Sequence, residues 1–194
     1  DRVRIEYERG CYNHREPPVL GGEYLLPSES GEHGVRGEYF DNDGLAGEPV
    51  SIRLDGRPDF WWSSAPVEGL PLAFSARWTG RLAVPADGPY TFALTSTGRC
   101  RLSLDGETCL EVPSPAVSGR DAAIAQVELA AGRPYQFVLE FIRTAVDDPA
   151  HIRLGFAPTP GPVEDGLLER AVSLAEKADA AVVCVGMPDG YETE

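Results

Sequence analysis

Between Pro89 and Leu110 the chain reads PYTFALTSTGRCRLSLDGETCL. Tyr90, Phe92 and Leu94 alternate with Thr91, Ala93 and Thr95, leaving one apolar face and one lighter, more polar face. A strict period of two over this length predicts a half-buried strand. Thr97-Gly98 predicts a tight reversal, since glycine adopts positive φ without a Cβ clash. Leu102 and Leu104 then resume the alternation, and Asp105-Gly106 is the strongest short hairpin signal a sequence offers. The expectation is a β-meander, with strands on either side of it closing a sandwich.

The surroundings share this texture. Short β-like runs recur over residues 35–158: GEYF at 37–40, VSIRL at 50–54, FSARWTGRLAV at 74–84, AIAQVEL at 123–129, YQFVLEFIR at 135–143 and HIRLGF at 151–156. Asp43-Gly44, Asp55-Gly56, Asp87-Gly88 and Gly132 mark turns between them. Many short strands at this spacing argue for an antiparallel sandwich. Tyr90, Phe92, Leu102, Phe137, Leu139 and Leu154 are expected inside.

The two ends read differently. Val3, Ile5 and Tyr7 alternate before Gly10, predicting a short strand over residues 1–12. Residues 13–34, with Pro17-Pro18, Gly21-Gly22 and Pro27, predict a connection of little regular structure. After the break TPGPVEDG at 159–166 the period changes. Leu167, Leu168, Ala171, Val172, Leu174, Ala175 and Ala178 fall on one helical stripe, with Asp165 as its expected N-cap. Residues 180–185, AAVVCV, are apolar at every position, which suits a parallel strand covered on both faces. Strand, helix and strand form one βαβ unit, into which the sandwich is inserted. The expected division is therefore 1–34, 35–158 and 159–194, mainly β, with the sandwich splitting a piece of an α/β domain. One helix and two strands cannot bury their own faces, so these ends read as part of a larger α/β protein.

Composition narrows the function classes. Hydrophobic residues make up 42% of the chain, enough for a true core, and the net charge is −14. So acidic a surface repels phosphate, which argues against nucleic acid and anionic membranes as partners. No apolar run approaches the roughly 18 residues of a membrane span. No charged start followed by an apolar run suggests a signal peptide within this stretch; secretion of a parent protein stays compatible with it. Cys11, Cys100, Cys109 and Cys184 form no C-x-x-C pair, and His14, His33 and His151 have no ligand spacing, so no metal ion or other cofactor is expected. A two-residue turn at 105–106 would set residue 102 opposite 109 and Cys100 diagonal to Cys109, about 7–8 Å away between Cα atoms. Isolated thiols are expected there, with a bridge left open.

Trp78-Thr79-Gly80, Pro85 through Gly88, Tyr90-Thr91-Phe92, Gly98 and Leu104-Asp105-Gly106 together resemble the protective-antigen-type domain, the PA-fourteen β-sandwich. The flanks, VRIEYERGC and LAEKADAAVVCVGMPDGYETE, resemble the C-terminal α/β sandwich of glycoside hydrolase family three, the β-glucosidases. The first resemblance implies a calcium-held sugar site where members carry two adjacent aspartates after the YTF strand. Here Ser96-Thr97 occupy those positions, and neutral hydroxyls are weak calcium ligands. The second implies a retaining glycosidase acting on a β-glucoside or glycoconjugate, with two carboxylates about 5–5.5 Å apart. Its nucleophile would belong to a barrel domain upstream of these residues. Its acid/base would lie on the loop after residues 180–185, at Glu192 beside Tyr191, with Glu194 as the alternative. In that family the insert can lean over the active-site mouth. Trp61, Trp62 and the proline-bearing loop 111–123 with Arg120 are then candidate substrate contacts, while adjacency on one strand sends Trp61 and Trp62 to opposite faces and one of them into the core. Three readings stand: a hydrolase segment whose insert shapes substrate access, an independent carbohydrate-binding module, or a structural sandwich that contacts protein.

Overall fold

The computed structural model describes residues 4–8, 10, 17–26, 31, 33–113, 123–143, 149–159 and 166–185. The chain divides into two compact units, residues 16–159 and residues 1–15 with 160–194. The larger is an antiparallel β-sandwich of ten strands: β1 Val35–Phe40, β2 Ser51–Asp55, β3 Asp59–Trp62, β4 Phe74–Leu82, β5 Gly88–Ser96, β6 Arg99–Leu104, β7 Glu107–Val112, β8 Ala123–Leu129, β9 Tyr135–Arg143 and β10 Ala150–Pro158. One sheet runs β2-β1-β4-β9-β6-β7 and the other β3-β10-β5-β8. Their facing sides form a single core. Tyr90, Phe92 and Leu94 with Ile152, Leu154 and Phe156 meet Phe74, Trp78, Leu102, Phe137, Leu139 and Phe141, all at most 2% exposed. Every second residue along these strands is apolar because it points into that core.

Two local expectations are corrected. The stretch 89–110 is no meander: β5 lies in the four-stranded sheet, while β6 pairs β9 and β7 in the other. Thr97-Gly98 is thus a crossing between sheets. Gly98 is not there for positive φ; a Cβ on it would lie 2.5 Å from the Ile142 carbonyl oxygen and 2.6 Å from the Phe141 ring. The Asp105-Gly106 hairpin does form, with φ of 51° and 83° at its two central residues, as a two-residue turn between twisted strands requires. A bulge after Leu102 then shifts the register, so Leu102 faces Leu110 and Cys100 faces Val112. Cys100 and Cys109 are free thiols.

Residues 17–26 do more than connect. Leu20 and Leu25 are at most 1% exposed. Val19 bridges Gly155, and Leu25 bridges Leu82. His33 Nδ1 lies 2.6 Å from the Leu25 carbonyl oxygen. The segment is irregular in backbone yet part of the core.

In the smaller unit the helix α1 spans Leu167–Ala175 and buries none of its residues. Gly166, in the left-handed region, is its N-cap, where Asp165 was expected; Asp165 itself lies outside the described residues. The strands expected over 1–12 and 180–185 are in no sheet among the described residues. Ile5, Tyr7, Val182, Val183 and Val185 are exposed. An apolar run without hydrogen-bonding neighbours has the pattern of a buried strand and no ladder to join.

Candidate functional site

Strand register brings the rim connections, with Trp61 and Trp62 beside them, to one end of the sandwich. Val35, where β1 begins, pairs Asp55, and Pro158, where β10 ends, pairs Tyr90. These mark the root, through which the chain enters and leaves. At the opposite rim Phe40 pairs Ser75, Phe74 pairs Arg143, Arg99 pairs Ile142 and Cys100 pairs Val112. In the second sheet Ala150 pairs Trp62, Ile152 pairs Ser96 and Leu94 pairs Ala123. The connections 41–50, 63–73, 97–98, 113–122 and 144–149 therefore all leave and return at the rim. The loop predicted to carry Arg120 starts and ends there; Arg120 itself, like Tyr191, Glu192 and Glu194, lies outside the described residues.

The tryptophan pair divides as its adjacency demands. Trp62 faces inward and stacks on Phe60 at 4.9 Å and edge-on to Phe74 at 5.5 Å. Trp61 is 67% exposed on the outer face of the four-stranded sheet, its ring 5.4 Å from that of His151. Of the two, Trp61 has the ring open to a ligand.

The pair aligned with the calcium aspartates is committed elsewhere. Ser96 is 2% exposed; its hydroxyl accepts from the Gly98 N–H at 3.0 Å and from the Cys100 thiol at 3.0 Å. Thr97 Oγ1 accepts from the His151 N–H at 2.8 Å. A calcium ion needs six to eight oxygens, charged ones among them, and these two hydroxyls are neutral and already hydrogen-bonded. They do not fit the ion. Among the described residues no cluster of three His, Cys, Asp or Glu suits a metal. Asp105, the other acid of this region, is a turn residue whose Oδ1 accepts from the Gln136 N–H at 2.8 Å.

Two features escaped the sequence reading. Asp55, read as half of a turn signal, is 7% exposed. Its Oδ2 accepts from Tyr39 Oη at 2.7 Å and Trp78 Nε1 at 2.8 Å, and its Oδ1 from Arg53 Nε at 2.8 Å. Burial first, and the bond to this carboxylate second, push the Tyr39 hydroxyl well above its ordinary pKa. The alternation of Arg53 and Asp55 along β2 was the available signal, since both fall on the inner face.

The second feature is a row of alternating charge across the outer face of the six-stranded sheet. Glu38, Arg77, Glu140, Arg101 and Glu111 are successive register partners on five strands. Arg77 lies 3.2 Å from Glu140, and Arg101 lies 2.6 Å from it. Such a face satisfies itself across its middle and is held in water. Toward the rim this row runs into a groove of about 450 Å³, lined by its Arg77, Glu140, Arg101 and Glu111 and further by Asp43, Leu45, Arg99 and Ile142.

Known proteins align with this arrangement. A β-glucosidase of Rhizobium radiobacter is 29% identical over 200 residues, spanning 98% of this chain and 23% of its own length. A probable β-glucosidase I of Aspergillus clavatus is 28% identical over 216 residues, again spanning 98% of this chain and 25% of its own. The chain thus covers about a quarter of the length of these relatives. Among solved structures, a β-glucosidase from Kluyveromyces marxianus superposes with a TM-score of 0.74 over 91% of this chain and 23% of that one, at 19% identity, and so shares the fold. The PA14 domain matches residues 31–159, the span of the ten strands and their connections. By that match and by its two-sheet architecture, the chain belongs to the PA14 domain family.

Proposed function

We propose that this chain is the insert-bearing segment of a retaining β-glucosidase-type glycoside hydrolase, and that the sandwich shapes which substrates reach the active site. The observation that carries the reading is the extent of the alignment. The β-glucosidase relatives match 98% of the chain, so the likeness covers both ends as well as the insert. The apolar run 180–185 and the amphipathic helix before it, exposed here, have the pattern of elements covered by further sheet and helix.

Chemistry then divides between this chain and a barrel domain preceding it. A nucleophilic carboxylate on the barrel attacks the anomeric carbon. Glu192 donates a proton to the departing glycosidic oxygen and afterwards removes one from the attacking water. Glu192 follows the Val-Gly that closes the run 180–185, at the carboxyl end of the expected parallel strand, where open α/β sheets place their sites. Tyr191 next to it in sequence and Arg120 in the connection after β7 are substrate contacts in this scheme, and Glu194 is the alternative donor. The sandwich contributes selectivity through the rim connections, distinguishing aglycones or chain lengths beyond the cleaved bond.

The complete enzyme tests this directly. Glu192→Gln should slow alkyl glucosides far more than aryl glucosides with good leaving groups, because only the former need the proton. Azide should partly restore turnover in Glu192→Ala by attacking the glycosyl-enzyme. Both behaviours at Glu194 and neither at Glu192 would move the role to Glu194; neither behaviour at either residue would sink the assignment to this loop.

A further inference from the structure

The rim groove combines members of the charge row with two charged groups that the row leaves unused. Arg99 and Asp43 line it and make no hydrogen bond or ion pair among the described residues; Glu111 faces Arg101 across the strands, and Arg101, Arg77 and Glu140, which line it too, are tied to one another. Its wall is held in place from beneath. Ser75, fully buried, donates its hydroxyl to the Asn42 carbonyl at 2.6 Å and accepts from the Leu45 N–H at 3.3 Å. Asn42 Oδ1 accepts from the Gly44 N–H at 3.0 Å, and Leu45 is held at a φ of 52°. A side chain with a Cβ is strained in the left-handed region, and such strain clusters where a surface is pre-shaped for a ligand.

The lining selects by chemistry. An anion drawn to Arg99 meets the carboxylates of Asp43 and Glu111. A cation drawn to those carboxylates meets Arg99 and Arg101. A neutral ligand whose hydroxyls both donate and accept can bond Arg99, Asp43 and the outer carboxylate of Glu111 at once, with its C–H face on Leu45 and Ile142. We propose that this groove is a saccharide subsite, taking a neutral β-linked glucose residue remote from the bond being cleaved. The choice of glucose rests on the hydrolase reading above; the choice of a neutral sugar rests on the groove. The subsite shares nothing with a calcium-held site, since its ligands are side chains on the outer face of β6, β7 and β9 and the 43–45 wall. It adjoins the end of β7, where the connection to β8 begins, so a chain-length effect of the insert has a physical seat there.

Laminaritriose and cellotriose, titrated into the 194-residue chain and followed by amide nuclear magnetic resonance, are the probes. Saturable shifts are expected at Gly44, Leu45, Arg99 and Glu111. Arg99→Gln and Glu111→Gln should each weaken binding about tenfold, as the loss of one charge-assisted hydrogen bond does. Both residues are exposed, so the spectrum away from the groove should stay as it is. Absence of saturation with either sugar would overturn the proposal. So would shifts centred on Trp61 and His151, or saturation of the groove amides by inorganic phosphate but not by sugar. The assay involves no turnover, so its failure leaves the hydrolase reading standing on Glu192. Failure of the Glu192 test, in turn, leaves sugar binding at the groove intact.

Discussion

A Cβ placed on Gly37 would lie 2.4 Å from Asp55 Oδ2 and 3.1 Å from the Trp78 indole. That carboxylate is held by the Trp78 indole N–H and the Tyr39 hydroxyl, so it cannot yield without breaking both bonds. Gly37→Ala should therefore destabilise the sandwich by about 1–3 kcal/mol, the usual cost of forcing atoms into a filled core. In an Asp55→Ala background the same change should cost much less, and urea denaturation of the four-member cycle measures the difference. Equal costs in both backgrounds would show that the strain lies elsewhere. Cys100 offers a second residue-scale test. Burial pushes its thiol up to about 12, against the opposing hydrogen bond with Ser96. Its ordinary value is 9.0, so the unfolded chain gives up this proton first. The thiol's contribution is complete below about pH 9 and is lost as pH rises toward about 12. The raised hydroxyl of Tyr39 acts in the same direction. Denaturant midpoints should fall over that alkaline window, and Cys100→Ala should flatten part of the fall. At pH 8 a maleimide should label exposed Cys184 well before Cys100.

At the scale of elements, register explains what alternation could not. β8 and β9 occupy the spans their period of two predicts, Ala123–Leu129 and Tyr135–Arg143. Yet β5 and β6, adjacent in sequence and both alternating, lie in different sheets. Alternation reports that a face is buried; it does not report against which neighbour. The same register puts both ends of the Val112–Ala123 connection at the rim. Shortening residues 112–120 in the complete enzyme should alter discrimination among aglycones or chain lengths. Hydrolysis of a small aryl glucoside should suffer far less, because that substrate makes few contacts beyond the cleaved bond. Equal losses on all substrates would mean that the deletion had merely loosened the sandwich, and would remove the loop from specificity.

Over the whole molecule, charge and sheet faces set what the sandwich accepts. The chain carries a net −14, yet the buried Ser96 and the bonded Thr97 leave no carboxylate pair where the resemblance stated from the sequence would set one. Calorimetric titration with calcium should give no binding at micromolar affinity, and chelators should leave the thermal midpoint of the chain unchanged; either effect would contradict the hydrogen-bonded arrangement of that turn. The sequence by itself determined most strands of the sandwich, though not those expected over 1–12 and 180–185, together with the Asp105-Gly106 hairpin, the helix near residue 170 and the inward set from Tyr90 to Leu154. Each of these is a local periodicity or a local backbone requirement, readable within a dozen residues. Tertiary structure alone decided which sheet each strand joined and why Gly98 must lack a side chain. It also decided that Leu20 and Leu25 belong to the core, that Asp55 anchors Tyr39 and Trp78, and that Arg99, Glu111 and Asp43 share one groove. Those outcomes depend on pairing between segments tens of residues apart, where the energy lies in burial and register that no short window contains.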